Sequence, residues 1–258
     1  MGTLNPPIRD WSHQRVWIIG ASTGIGKALA DALLAKGAKV AVSARTGKTL
    51  DAAFGAQPNA LRLTLDIADS KSVAAALSSI HDSWGGLDLG IVMAGTYRAI
   101  RAWELTEEAI RTMMQTNVYG AMNASALLTQ YFLKQGTGHV SVVASVAGYS
   151  GLPKAMVYGP SKAAMINFAE TLYIDLSEKG IGVSVVNPGF VKTPLTAGNN
   201  FKMPHLIEPE EAASEMIKGY EAGDFEIHFP RAFTRQLKLL RLLPYSQYFK
   251  LIKKSTGL

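Results

Sequence analysis

Hydrophobic positions fall along this chain in two alternating rhythms. Compact apolar runs occur at 16–19, 39–43, 60–65, 87–93, 138–144 and 182–186. Each is too short for a helix of its own and reads as a strand, the first of them, 16–19, as one buried on both faces. Between them, 27–36, 70–84, 106–132 and 158–178 carry apolar residues at three- and four-residue spacing, which predicts helices. No repeat, linker or low-complexity tract interrupts this alternation. It predicts an α/β fold, one doubly wound parallel sheet in a single domain covering residues 1–258.

The last stretch has a different pattern. In 231–243 the basic residues 231, 235, 238 and 241 share one helical arc, and Phe233, Leu237, Leu240 and Leu243 lie largely opposite. Pro244 interrupts the pattern, and 245–254 resumes it with Tyr248, Phe249, Leu251 and Ile252. Residues 231–258 therefore read as a basic amphipathic helical tail. Two readings stay open for it: packing on the body or a neighbouring subunit, or peripheral contact with an anionic membrane.

Charge sharpens this division. The net charge is +6, yet the last acid is Glu226, and seven of the 26 basic residues follow it. The remaining 19 face 20 acids, so the body is close to neutral and the basic balance does not indicate a nucleic-acid partner. With no cysteine, disulfides and thiolate metal sites are excluded, and no metal is expected. No apolar run reaches the roughly 18 residues of a spanning helix. Prolines and charges stand in 1–13 where a secretory leader would need an apolar core, so the expected compartment is the cytoplasm.

Candidate chemistry begins directly after the first strand. Gly20, Ser22, Thr23, Gly24, Ile25 and Gly26 form a glycine-rich turn between a strand and a helix. Such a turn lets the backbone approach a pyrophosphate at the helix N-terminus, which predicts dinucleotide binding. The second strand ends at Ala44 and Arg45, with no carboxylate for a ribose 2′-hydroxyl and a cation suited to a 2′-phosphate, so NADP(H) is expected in preference to NAD(H). Ala94 and Gly95 end the fourth strand with little side chain and leave room for a ligand. Asn117 sits inside a predicted helix that it does not favour. Ser145 closes the fifth strand, and Tyr158 and Lys162 stand four residues apart on one face of the next helix. A neighbouring ammonium is expected to lower the phenol's pKa from its ordinary value near ~10.

In order and spacing these motifs resemble the short-chain dehydrogenase/reductase family in its compact form. The resemblance rests on Gly20-x-x-x-Gly24-x-Gly26, Asp66, Ala94-Gly95, Asn117, Ser145, Tyr158-x-x-x-Lys162, and Pro188-Gly189 with Thr193. It covers residues 14–195. Ile19 and Met93 depart from the family's usual threonine and asparagine.

The resemblance implies a Rossmann fold and hydride transfer between nicotinamide and a carbonyl or alcohol carbon. It implies Tyr158 as proton donor or acceptor, Ser145 holding the substrate oxygen, Lys162 on the nicotinamide ribose, and Asn117 holding a relay water. Asp66 and Ile67 would lie near the adenine, with Gly95 beside the adjoining ribose. Pro188, Gly189, Val191 and Thr193 would hold the nicotinamide end. A homo-oligomer is expected as well. Substrate contacts are expected from Tyr97, Tyr149, Phe201 and the other aromatic loop residues, which suits an apolar or aromatic small molecule. Two other readings remain: a dinucleotide-binding sensor or scaffold without chemistry, and a peripheral membrane reductase of lipid carbonyls.

Overall fold

The computed structural model describes residues 3–199 and 203–256. In chain order its elements are β1 (Arg15–Ile19), α1 (Gly24–Ala35), β2 (Lys39–Ala44), α2 (Gly47–Phe54), β3 (Ala60–Thr64), α3 (Ser70–Trp84), β4 (Leu89–Val92), α4 (Glu107–Met114), α5 (Ala121–Gln135), β5 (Gly138–Val143), α6 (Tyr158–Leu176), β6 (Ile181–Pro188), α7 (Pro209–Ala222), β7 (Glu226–Phe229), α8 (Arg231–Arg241) and α9 (Tyr245–Thr256). The seven strands form one parallel sheet in the order β3-β2-β1-β4-β5-β6-β7. The doubly wound Rossmann-type sheet expected from the sequence is the fold observed.

Period-two alternation along each strand divides the interior into two layers. On β1, Val16 and Ile18 face a core shared with α1 and α7, while Trp17 and Ile19 face one shared with α3, α5 and α6. All four are essentially inaccessible. That explains an apolar run without polar alternation: both faces of the strand are covered by helices. The chain order reverses between β1 and β4, where Ile19 pairs with Val92. At such a switch point the two following loops diverge and open a crevice at the carboxyl end of the sheet.

One expectation needs correction, and some elements go beyond those expected. The predicted helix 106–132 is α4 and α5 joined by a π turn, Gln115–Gly120. Strand β7 and helices α2 and α7 were not anticipated. At four residues β7 is too short to stand out, and its alternating exposure shows one side of a sheet edge. The tail forms two helices separated near Pro244 as expected, and it packs on the body. Phe233, Tyr248 and Ile252 are buried, and the Tyr248 hydroxyl donates to the Gly151 carbonyl at 2.7 Å.

One buried group couples this fold to pH. His139 on β5 is buried, with Nε2 2.9 Å from Ser184 Oγ. Ser184 Oγ donates to the Asp224 carbonyl, so it accepts from the imidazole N–H. Burial lowers the His139 pKa from 6.5 to about 4. Between those values the unfolded chain takes up a proton that the folded chain refuses, so stability falls as pH drops. The full loss, reached near pH 4, is about 3 kcal/mol. Urea midpoints at neutral and acidic pH should show this drop in the wild type and a smaller one in His139→Gln. Equal acid sensitivity in both proteins would remove His139 as the cause.

Candidate active site

The glycine turn after β1 is shaped by close approach. Gly20 has φ +105°, and a Cβ there would meet the Ala94 Cα and N at 2.7 Å. A Cβ on Gly26 would lie 2.2 Å from the Gly20 carbonyl oxygen and 2.8 Å from Met93 Sδ. The turn is thus pressed against the end of β4, with Met93 packing into the helix–strand contact. Asp69 and Thr106 cap α3 and α4 with their side chains, accepting from the Lys71 and Ala109 N–H groups. Among the described residues the N-cap of α1, Thr23, makes no side-chain cap. The helix's first-turn N–H groups are left for another acceptor, which fits a pyrophosphate.

From this turn a cleft of about 540 Å³ runs along the carboxyl ends of β1, β2, β4, β5 and β6. Gly20, Ser22, Thr23, Gly24, Ile25, Gly26, Arg45, Asp66, Ile67, Ala94, Gly95, Ser145, Tyr158, Lys162, Pro188, Gly189, Val191 and Thr193 all line it. Arg45 is exposed just past β2 and has no hydrogen-bond or ion-pair partner among the described residues, so its guanidinium stands open at that end. The extended cleft, its glycine floor, an uncapped helix start and a free cation together fit a phosphorylated dinucleotide.

At the other end the catalytic candidates meet. Tyr158 and Ser145 line the same end of the cleft, and Ser145 is near enough to act on the Tyr158 phenol. Ser145 Oγ accepts from the Ala147 N–H at 3.1 Å and lies 3.4 Å from the Pro188 carbonyl oxygen. Lys162 is buried, and its Nζ donates to the Val143 carbonyl at 2.9 Å, 5.7 Å from the Tyr158 ring. The expectation that the ammonium lowers the phenol's pKa does not hold in this state. Burial raises the Tyr158 phenol to about 12 against the opposing Ser145 hydrogen bond, and burial lowers Lys162 to about 8. Removal from water sets the direction of both shifts.

Asn117 explains the π turn around it. Its Oδ1 accepts from the Thr96 N–H at 2.8 Å, and its Nδ2 donates to the Thr96 carbonyl at 2.9 Å and to Ser161 Oγ at 3.2 Å. Three hydrogen bonds tie the loop after β4 to α6, and widening the helix lets the side chain reach them. The widened turn also brings Gly120 against the loop after β3, where a Cβ would be 2.8 Å from the Ile67 carbonyl oxygen. π turns of this kind recur at functional sites.

Two substrate expectations separate here. Tyr97 stands beside the reacting end, its ring 4.9 Å from that of Tyr158 in an edge-to-face contact. Tyr149 does not. Its hydroxyl donates to Glu226 Oε1 at 2.6 Å, and Glu226 also accepts from Asn187 Nδ2 at 2.9 Å and from Lys238 Nζ of α8. Burial alone would raise the Glu226 carboxyl, but the hydrogen bonds from Lys238, Tyr149 and Asn187 outweigh it and hold the pKa below its ordinary value. An ionised carboxylate here draws the tyrosine inward, away from the cleft. Phe201 lies outside the described residues. Sequence reasoning missed Thr96, Thr112 and Thr116, which also line the cleft. The four-residue spacing of Thr112 and Thr116, next to the anomalous Asn117, was the available signal.

Comparison with known proteins agrees with this architecture. The model of the short chain dehydrogenase family matches residues 14–203. An uncharacterized oxidoreductase of Myxococcus xanthus is 33% identical over 91% of this chain and 94% of its own length. A 3-oxoacyl-(acyl-carrier-protein) reductase of Salmonella typhimurium is 31% identical over 69% of this chain and 74% of its own. Among solved structures, a short chain dehydrogenase of Burkholderia cenocepacia in complex with NADP superposes with TM-score 0.83 at 24% identity, covering 94% of this chain and 98% of that one. A short chain dehydrogenase/reductase of Burkholderia phymatum in complex with NAD gives 0.79 at 22% identity, covering 88% and 92%. Those two likenesses speak for the fold. The family match and the one-third identity along nearly the whole chain place the function: the chain belongs to the short-chain dehydrogenase/reductase family, whose members are nicotinamide-dependent oxidoreductases.

Proposed function

We propose that this protein is an NADP-dependent reductase of small apolar or aromatic carbonyl compounds. The observation that carries the reading is the gathering of Ser145, Tyr158 and buried Lys162 in the same cleft as the glycine turn and the free Arg45. When bound, the nicotinamide supplies or accepts the hydride. The chain's own residues hold the reactants and manage one proton.

The first-turn N–H groups of α1 and the backbone of residues 20–26 would hold the pyrophosphate, and Arg45 would hold a 2′-phosphate. Asp66 and Ile67 would border the adenine end, Gly95 and Lys162 the riboses, and Pro188, Gly189, Val191 and Thr193 the nicotinamide end. Ser145 Oγ and Tyr158 Oη converge on the substrate oxygen and donate to it as charge develops there. A phenol held near 12 remains protonated at neutral pH and is suited to give a proton in the reductive direction. Lys162, lowered to about 8, is poised to replace that proton. Asn117 Oδ1 retains one lone pair beyond its bond to Thr96. Both it and Lys162 Nζ border Gly95, within 3.4 and 3.6 Å of where a Cβ would stand. A water held between them would complete a relay.

Aromatic side chains around this end support an apolar substrate: Tyr97 beside Tyr158, and Phe190 packed with Phe233 of α8 at 5.6 Å between ring centroids. The tyrosine and lysine that a non-catalytic sensor or scaffold would not need are both present and juxtaposed. The test is NADPH consumption against a panel of ketones, quinones and 3-oxoacyl thioesters. Turnover is expected with apolar members and faster with NADPH than with NADH. NADPH binding without turnover of any member would favour the sensor instead.

A further inference from the structure

The tail helices α8 and α9 use one face on the body. Phe233, Thr234, Tyr248 and Ile252 are buried there, Lys238 pairs with Glu226, and Tyr248 holds the Gly151 carbonyl. That contact accounts for an amphipathic tail, but it leaves a second apolar row outside. Leu239 is 65% exposed, Leu242 79%, Tyr245 78% and Phe249 53%. These four side chains run across the corner between the two helices. The Tyr245 and Phe249 rings stack on one another at 5.6 Å and 16° rather than on the body.

Cations rim this row. Arg235, Arg241, Lys250, Lys253 and Lys254 are exposed and have no acidic partner among the described residues, and no acid occurs after Glu226. A second copy placed symmetrically on the same corner would bring ten unpaired cations together around the apolar contact, which opposes self-association. An acidic protein could meet the charge. However, an exposed row of leucine and aromatic side chains flanked by unpaired lysines and arginines is what an anionic lipid surface takes up: apolar tips enter the headgroup boundary while the cations meet lipid phosphates and carboxylates.

We propose that the α8–α9 corner docks this protein peripherally on an anionic phospholipid surface, with Leu239, Leu242, Tyr245 and Phe249 inserted and the five cations around them. The inference rests on none of the catalytic assignments and extends to no spanning segment, because no helix among the described residues is long and apolar enough to cross a membrane.

The test is co-sedimentation of the full chain with vesicles of phosphatidylcholine alone or mixed with phosphatidylserine. The mixed vesicles should retain at least ~10-fold more protein at low ionic strength, and the excess should fall away as salt screens the rim. The double variant Leu242→Glu/Tyr245→Glu should lose that binding while titrating NADPH like the wild type. Equal pelleting with both vesicle types, or undiminished pelleting of the variant, overturns the proposal. So does light scattering that shows a larger assembly dissolved by the two substitutions, since the corner would then belong to a second copy.

Discussion

Replacing Tyr158 with phenylalanine is expected to lower turnover by roughly 10³-fold, within the range of a lost general acid, while NADPH still binds. The reason lies in what the substitution leaves intact. Phenylalanine keeps the ring that packs edge-to-face on Tyr97 and the apolar volume beside Lys162, so neither the helix start nor the cleft has cause to rearrange. What disappears is the hydroxyl at the Ser145 end of the cleft. Single-turnover reduction of any accepted carbonyl, measured beside an NADPH titration, separates chemistry from binding. Turnover within a few-fold of wild type would take Tyr158 out of the proton path and leave Ser145 or a water to fill it. The two groups together predict the alkaline side of the wild-type pH profile. With its pKa near 12 the phenol stays protonated across neutral pH, so reduction should first decline as pH rises through about 8, where Lys162 loses its proton.

The second large effect concerns Arg45. Changing it to aspartate should weaken NADPH by about 100-fold relative to NADH. Two charge-assisted hydrogen bonds to a phosphate account for about 3 kcal/mol, and each 1.4 kcal/mol is tenfold. The guanidinium is exposed and unpaired in the structure, so its loss should leave the melting temperature unchanged and confine the effect to the cofactor. Dissociation constants for both cofactors, measured by fluorescence titration, give the ratio directly. A ratio that stays put would move 2′-phosphate recognition elsewhere, with Lys48 in the first turn of α2 the next cation along the chain.

Much of this architecture could be read from the sequence because its signals are local. Buried strands announce themselves as unbroken apolar runs, and the glycine turn is legible because close backbone contacts at Gly20 and Gly26 leave no room for side chains. Tyr158 and Lys162 are legible because a helix fixes their spacing. What escaped reading depends on residues far apart in the chain. Tyr149 turns inward because Glu226 and Lys238, from β7 and α8, sit where its hydroxyl can reach them. The π turn arises because Asn117 must bridge Thr96 and Ser161, a demand invisible in the spacing of residues 106–132. The direction of the phenol's shift was misjudged for the same reason: pairing with Lys162 could be read from four-residue spacing, whereas burial is a property of the assembled fold. Helix α7 was within reach, since Pro209 with Glu210 and Glu211 in the first turn is a strong helix start.

The supports of the loop after β5 impose an order on its assembly during synthesis. Tyr149 waits for Glu226, 77 positions later, and Gly151 for Tyr248, 97 positions later. At a translation rate of about 5–20 residues per second, that interval is roughly 5–20 s. The strands and glycine turn that make the nucleotide half are complete well before then. A ribosome-bound chain therefore passes through a stage in which the first strands and the glycine turn are already made and the loop after β5 has nothing to lean on.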